Sequence, residues 1–133
     1  MHLAQTLRKA LELYPDKKAV FSEDASLTYS EFGRRCFGLA RLLSHLGVGY
    51  QDRVSIIHPN SHRFLEAYYA TALLGAILVP INTRLSHREM SFIASDSESK
   101  VLIVDAEFVS AARHVVSDSG VKTLVVAGDL GNV

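Results

Sequence analysis

Apolar positions along this chain follow two spacings that take turns. Leu3, Leu7, Ala10, Leu11 and Tyr14 recur at helical period, and Pro15 stops the pattern. Two brief β-favouring runs follow, "KAVF" and "SLTY", separated by "SEDA", which predicts a small hairpin or two edge strands near residues 18–29. Thr28 stands three residues before Glu31, a spacing in which each side chain can satisfy a free backbone donor of a first helical turn. The helix opened there carries Phe32, Cys36, Leu39, Leu43 and Leu46 on one stripe, with Arg34, Arg35 and Arg41 mostly off it, and Gly47 supplies its left-handed stop.

Beyond Gly47 the alternation becomes regular. Strand "RVSIIH" precedes helix "SHRFLEAYYATALLG", strand "AILVPI" precedes helix "SHREMSFIASDSE", and strand "KVLIVD" precedes helix "AEFVSAARHVVSDSG", with strand "KTLVVAG" last. Strands that are apolar without a break, joined by helices, predict a mostly parallel sheet covered on both faces, because each parallel crossover needs a helix. The expected fold is a doubly wound α/β layer with a small β-hairpin near the N-terminus. Residues 1–133 are expected to form one unit, since no low-complexity tract, charge block or repeat marks an internal boundary.

Composition narrows the function classes. Lys plus Arg and Asp plus Glu both number 14, and this zero formal charge disfavours a nucleic-acid partner, which needs a basic excess or patch. A single cysteine, Cys36, excludes an internal disulfide and a thiolate metal cluster and fits a reducing, cytoplasmic setting. The longest apolar stretch, "AYYATALLGAILVPI", is interrupted by Gly75 and closed by Pro80, too short for a membrane span.

Several motifs fall to simpler readings. Gly47-Val48-Gly49 follows a helix rather than a strand, the wrong context for a phosphate-cradling loop. His58 and His62 are four apart, but Pro59 and a strand-to-helix break lie between them, which argues against a shared metal. Cys36 sits on an apolar stripe as a small hydrophobe rather than a nucleophile. No G-x-S-x-G elbow is present to support a serine hydrolase. Tyr68 and Tyr69, with Phe64, Leu65 and Ala72, read as a core or interface stripe.

In a doubly wound sheet, ligands gather beyond the carboxyl ends of the strands. Three such ends are "HPNS" at 58–61, "PINTRLS" at 80–86 and "VDAE" at 104–107. In the second, Pro80 ends a buried strand, Asn82 can brace the loop, and Ser86 with Glu89 repeats the capping spacing. That leaves Arg84 with no structural duty. It is either a surface arginine paired with a neighbouring acid or a planar donor fork aimed at a phosphate or carboxylate.

"LTYSEF" at 27–32 and the segment from Gly47 to Asp105, in this order and spacing, resemble the N-terminal portion of the adenylate-forming, or AMP-binding, acyl-CoA synthetases. "LTYSEF" is similar to the family's first core motif and "LLGAILVPIN" to its second. The resemblance implies a parent acid-thiol ligase in which a carboxylic acid attacks ATP, with magnesium, to give an acyl-adenylate, and coenzyme A then displaces AMP. A fatty-acid substrate is the expected type. The family's Ser/Thr/Gly-rich ATP loop, adenine-stacking aromatic, ribose-binding aspartate, hinge and catalytic lysine normally lie further along, so this chain is expected to be an inactive N-terminal fragment with no catalytic or metal-binding residue of its own. The resemblance carries Arg84 to a position that approaches the coenzyme A phosphate in some ligases, Asn82 to a loop brace, and Asn60 to the cap of the next helix. The competing expectation is a non-catalytic binding or oligomerisation module that self-associates through an exposed subdomain face.

Overall fold

The computed structural model describes residues 2–23 and 25–128. Helix α1 (Leu3–Leu13) leads into an antiparallel hairpin of β1 (Lys18–Phe21) and β2 (Ser26–Thr28). Helix α2 (Tyr29–His45) starts at Thr28, whose Oγ1 accepts the Glu31 N–H at 3.1 Å while Glu31 Oε2 accepts the Thr28 N–H at 2.9 Å. At its other end Gly47 takes φ +89°, and the Val48 N–H donates back to the Leu43 carbonyl at 3.0 Å, the wide bond that closes a left-handed helix stop.

The rest of the chain forms one four-stranded parallel sheet. Its strands are β3 (Arg53–Ile57), β4 (Ile77–Pro80), β5 (Val101–Asp105) and β6 (Thr123–Ala127), ordered β4-β3-β5-β6. Helices α3 (His62–Leu73), α4 (His87–Asp96) and α5 (Val109–Asp118) make the crossovers, the last preceded by a 3-10 turn at Ala106–Phe108. Both expected layers are present. On one face, Val54, Ile56, Val101 and Ile103 pack with Ala40 and Leu43 of α2 and Ala67 and Ala70 of α3. On the other, Ile57, Leu102 and Val104 pack with Met90 and Ala94 of α4 and Ala112 and Val115 of α5. Each fully buried Val, Leu or Ile contributes about 1.5–3 kcal/mol, so the two central strands dominate the core.

One hydroxyl interrupts the second apolar face. Ser55 is buried there, and its Oγ lies 2.5 Å from Ser99 Oγ, which in turn lies 2.7 Å from Ser97 Oγ, so the polar group is satisfied inside the core. A third cluster, Leu7, Val20, Phe32 and Cys36 with Tyr69 packed against it, fastens α1 and the hairpin to α2 and α3.

The structure corrects one expectation. The strand ending at Pro80 is not buried on both sides: β4 is an edge strand, and Ile77 is 49% exposed. Pro80 lies opposite Ile56 and lacks a donor there, which only an edge strand tolerates; the Ile81 N–H resumes the ladder at 2.9 Å from the Ile56 carbonyl.

Candidate functional site at the carboxyl edge of the sheet

The strand order fixes where the loops meet. β3 sends its crossover outward to β4 and β5 sends its own to β6, so the crevice between the carboxyl ends of β3 and β5 is a topological switch point. His58 follows β3 there, and Asp105 ends β5.

After β3, the chain turns at His58-Pro59-Asn60. Ser61, in an extended conformation, caps α3: its Oγ accepts the Arg63 N–H at 3.2 Å. The expected cap, Asn60, is displaced from that role because Ser61 is the last residue with non-helical dihedrals; Asn60 is exposed at the loop tip. After β4, Asn82 Oδ1 accepts the Arg84 N–H at 2.9 Å, and the Leu85 N–H reaches the Asn82 carbonyl at 3.2 Å. Asn82 thus braces the loop, and α4 starts at Ser86, whose Oγ accepts the Glu89 N–H at 3.3 Å. Hydrogen bonds from the Ser86 backbone and hydroxyl hold the Glu89 carboxyl below the usual range for a glutamate. Arg84 is exposed on this braced loop, and among the described residues its guanidinium forms no ion pair.

Between the two loops lies a cleft of about 530 Å³, walled by Phe64, Pro80 and Ile81 and edged by His58, Asn60 and Asn82. A second cleft of about 500 Å³ shares Asn60 and Phe64 with it and runs under the hairpin past Val20, Phe21 and Tyr68. Both clefts set amide and imidazole groups beside aromatic rings.

Titratable side chains lie on the elements that bear these clefts. Glu66, buried on α3, is held through both carboxylate oxygens by Arg35 of α2, Nε on Oε1 and Nη2 on Oε2 at 3.3 Å. His62 lies one turn earlier on α3, and burial pushes its imidazole below the usual range despite the opposing pull of Glu66. His58 Nε2 lies 3.3 Å from Asp105 Oδ1, and Asp105 Oδ2 accepts the Glu107 N–H at 3.0 Å, capping the 3-10 turn. A Cβ placed on Gly128, just past β6, would sit 3.6 Å from Asp105 Oδ1 and 3.8 Å from Arg63 Nη1, so Arg63 also reaches the end of β5. Sequence reasoning singled out the strand end at 104–107 without giving Asp105 a role, and passed over Arg63, because both acquire their setting from strands far apart in the chain.

The remaining candidates separate. Cys36 is fully buried, and loss of solvation, followed by the charge of Glu66, pushes its thiol up to about 12, which removes it as a nucleophile. Tyr69 packs edge-on against Phe32, ring centres 5.6 Å apart, whereas Tyr68 is partly exposed beside Phe64. Among the described residues no three His, Cys, Asp or Glu side chains converge as a metal site.

Comparison with known proteins agrees with this architecture. The family model described as "AMP-binding enzyme" matches residues 7–132. The chain is 40% identical over 111 residues to the long-chain-fatty-acid-CoA ligase FadD13 of Mycobacterium tuberculosis, covering 81% of this chain and 22% of that protein. It is 36% identical over 109 residues to 4-hydroxybutyrate-CoA ligase 2 of Metallosphaera sedula, covering 82% of this chain and 20% of that protein. The solved fatty acyl CoA synthetase of Mycobacterium tuberculosis superposes with a TM-score of 0.89 at 32% identity, over 97% of this chain and 27% of that one. The chain therefore spans about a fifth of the length of the curated relatives it matches. By this match over nearly its whole length, and by the doubly wound sheet that carries it, the chain belongs to the family of AMP-binding enzymes.

Proposed function

We propose that this chain is the N-terminal subdomain of an ATP-dependent carboxylate:CoA ligase of the fatty-acid type, cytoplasmic, and inactive as these 133 residues alone. The single observation that carries the reading is Arg84, an exposed guanidinium without an ion-pair partner among the described residues, on an Asn82-braced loop whose preceding residues Asn82 and Thr83 line a cleft. Such a fork suits a phosphate of coenzyme A, binding it as a dianion and orienting the thiol donor. Coenzyme A would supply the thiol that displaces AMP. ATP and magnesium find no fitting residues here: no glycine-rich loop follows a strand, and no acidic group converges with others as a cation site among the described residues. Their chemistry falls to the remainder of the parent.

The test uses a chain extended through the ATP-binding segments. Arg84→Ala should raise the apparent KM for coenzyme A by roughly tenfold or more, the value of a charge-assisted hydrogen bond, while adenylate formation followed by pyrophosphate release stays within about twofold. Equal losses in both half-reactions would assign Arg84 to folding instead. For the 133-residue chain, pyrophosphate release with ATP and a fatty acid should stay at the blank; turnover above it would overturn the inactive reading.

A second reading is favoured by one observation. Phe21 is 77% exposed, and Leu65 and Tyr68 lie partly exposed along the same cleft, an apolar surface suited to association. Sedimentation of the isolated chain decides: a micromolar dimer lost on Phe21→Ser supports a self-associating module, and a monomer at all concentrations removes it.

A further inference from the structure

A cleft of about 320 Å³ lies where α1, α2 and the end of α3 meet. Arg8 enters it from α1 and Arg41 from α2, with Ser44 and His45 of α2 beside them. No carboxylate lines the cleft, and among the described residues neither guanidinium forms an ion pair. Glu12, one turn past Arg8 on α1, lines a separate cleft. Acidic and basic side chains are equal in number over the whole chain, 14 of each, so two guanidinium groups in one cleft without an acid are a local segregation of charge.

The other wall is apolar. Phe37 is 37% exposed, and Leu73 and Leu74 lie half-buried at the end of α3. The Arg8 guanidinium sits over the Phe37 ring, 5.7 Å from its centre. A guanidinium over a ring face loses part of the freedom of its long side chain, yet its in-plane N–H groups stay open to an anion. The free carbonyls at the end of α2, near His45, disfavour negative charge, so the favourable place for an anion lies between Arg8 and Arg41, a turn before that end. The volume is at the small end for ligand clefts, enough for a charged head and a short length of chain.

We propose that this cleft binds an amphipathic organic anion, a carboxylate or phosphate monoester on an alkyl chain, with its head between Arg8 and Arg41 and its first carbons on Phe37, Leu73 and Leu74. The Ser44 hydroxyl and one His45 N–H are donors for the remaining oxygens of the head.

The test is a titration of the nitrogen-labelled 133-residue chain, followed by amide proton-nitrogen spectra, with sodium octanoate below its micelle concentration. The amides of Arg8, Phe37, Arg41 and His45 should move together and saturate, half-saturating at about 1 mM for a ligand of about ten non-hydrogen atoms and ordinary efficiency. Acetate, the head without the chain, should bind at least about tenfold more weakly, because it leaves the apolar wall uncovered. 1-Octanol, the chain without the charge, should not saturate these amides. Arg8→Gln and Arg41→Gln should each weaken octanoate by roughly fivefold, whereas Arg34→Gln, an exposed cation outside the cleft, should leave it unchanged. Equal binding of acetate or of octanol overturns the proposal, as does an Arg34→Gln loss equal to that of the cleft arginines, which would mean diffuse charge attraction. A response of the same amides to phosphatidylglycerol vesicles but not to octanoate also overturns it, assigning the face to a bilayer surface. If a variant fails to fold, the octanoate, acetate and octanol comparison on the parent chain decides.

Discussion

Removing Arg35 should expose how much of the fold depends on one partly wet ion pair. Glu66 has a side chain 7% exposed, wedged between α2 and α3, while Arg35 is 46% exposed and reaches over to hold both of its oxygens. Arg35→Met keeps most of the aliphatic stem and deletes the donors, leaving a buried carboxylate without a partner. For a fully buried pair that loss costs about 3–5 kcal/mol. Water already reaches the Arg35 side and screens the pair, so the expected cost falls to about 1–3 kcal/mol. With a urea dependence of about 1–3 kcal/mol per molar, the unfolding midpoint should drop by roughly 1 M. Arg34→Met, at the exposed neighbouring position, should change the stability by no more than about 0.5 kcal/mol. Adding Glu66→Leu to Arg35→Met should restore most of the loss, since the penalty lies in the stranded charge rather than in a missing attraction. The reasoning fails if Arg35→Met matches Arg34→Met, or if the double variant is as unstable as the single one.

The remaining predictions come from burial and backbone geometry. With its thiol at about 12 and no exposed surface, Cys36 should react with a disulfide reagent at mild alkaline pH at least a hundredfold more slowly in the native chain than in urea; fast native labelling would displace α2. His62 is depressed by burial, so the stability it lends is full above the ordinary histidine value and is lost as pH falls below about 6.5 toward the lower folded value. His62→Gln should therefore flatten that part of the pH-stability curve measured by urea unfolding, and an unchanged slope would remove His62 as its cause. Gly75 has φ +67°, and a Cβ there would meet the Tyr50 ring at 2.8 Å, so Gly75→Ala should cost about 1–2 kcal/mol or more by thermal unfolding. A smaller loss would mean that the exposed Tyr50 ring swings away freely.

Features legible in the sequence were those written in neighbouring residues. The Thr28-Glu31 and Ser86-Glu89 caps, the Gly47 stop and the alternation of apolar strands with helices depend on spacings of a few residues, and each is present where the pattern put it. The edge position of β4 was not legible, because "AILVPI" is as apolar as a central strand and only the order β4-β3-β5-β6 shows which side is open. The helix expected from Ala106 opens instead as a 3-10 turn, since Asp105 draws the Glu107 N–H to its side chain. At the site, the Asn82 brace was readable as loop chemistry. The contacts of Arg35 with Glu66 and of His58 with Asp105 were not, because each joins residues brought together only by packing and by strand order.

That order also sets a timetable for the chain as it leaves the ribosome. β3 lies inside the sheet, yet its inner neighbour β5 is made only after α3, β4 and α4. The gap of ~40 residues corresponds to about 2–8 s of synthesis at about 5–20 residues per second. During that interval Val54 and Ile56 gain β4 as a partner only once Ile77–Pro80 is made, Ile57 has none until Val104, and the row of backbone donors and acceptors facing β5 waits unpaired. A nascent chain stalled just after α4 would present that row to other strands, making it the most adhesive stage in the life of this protein.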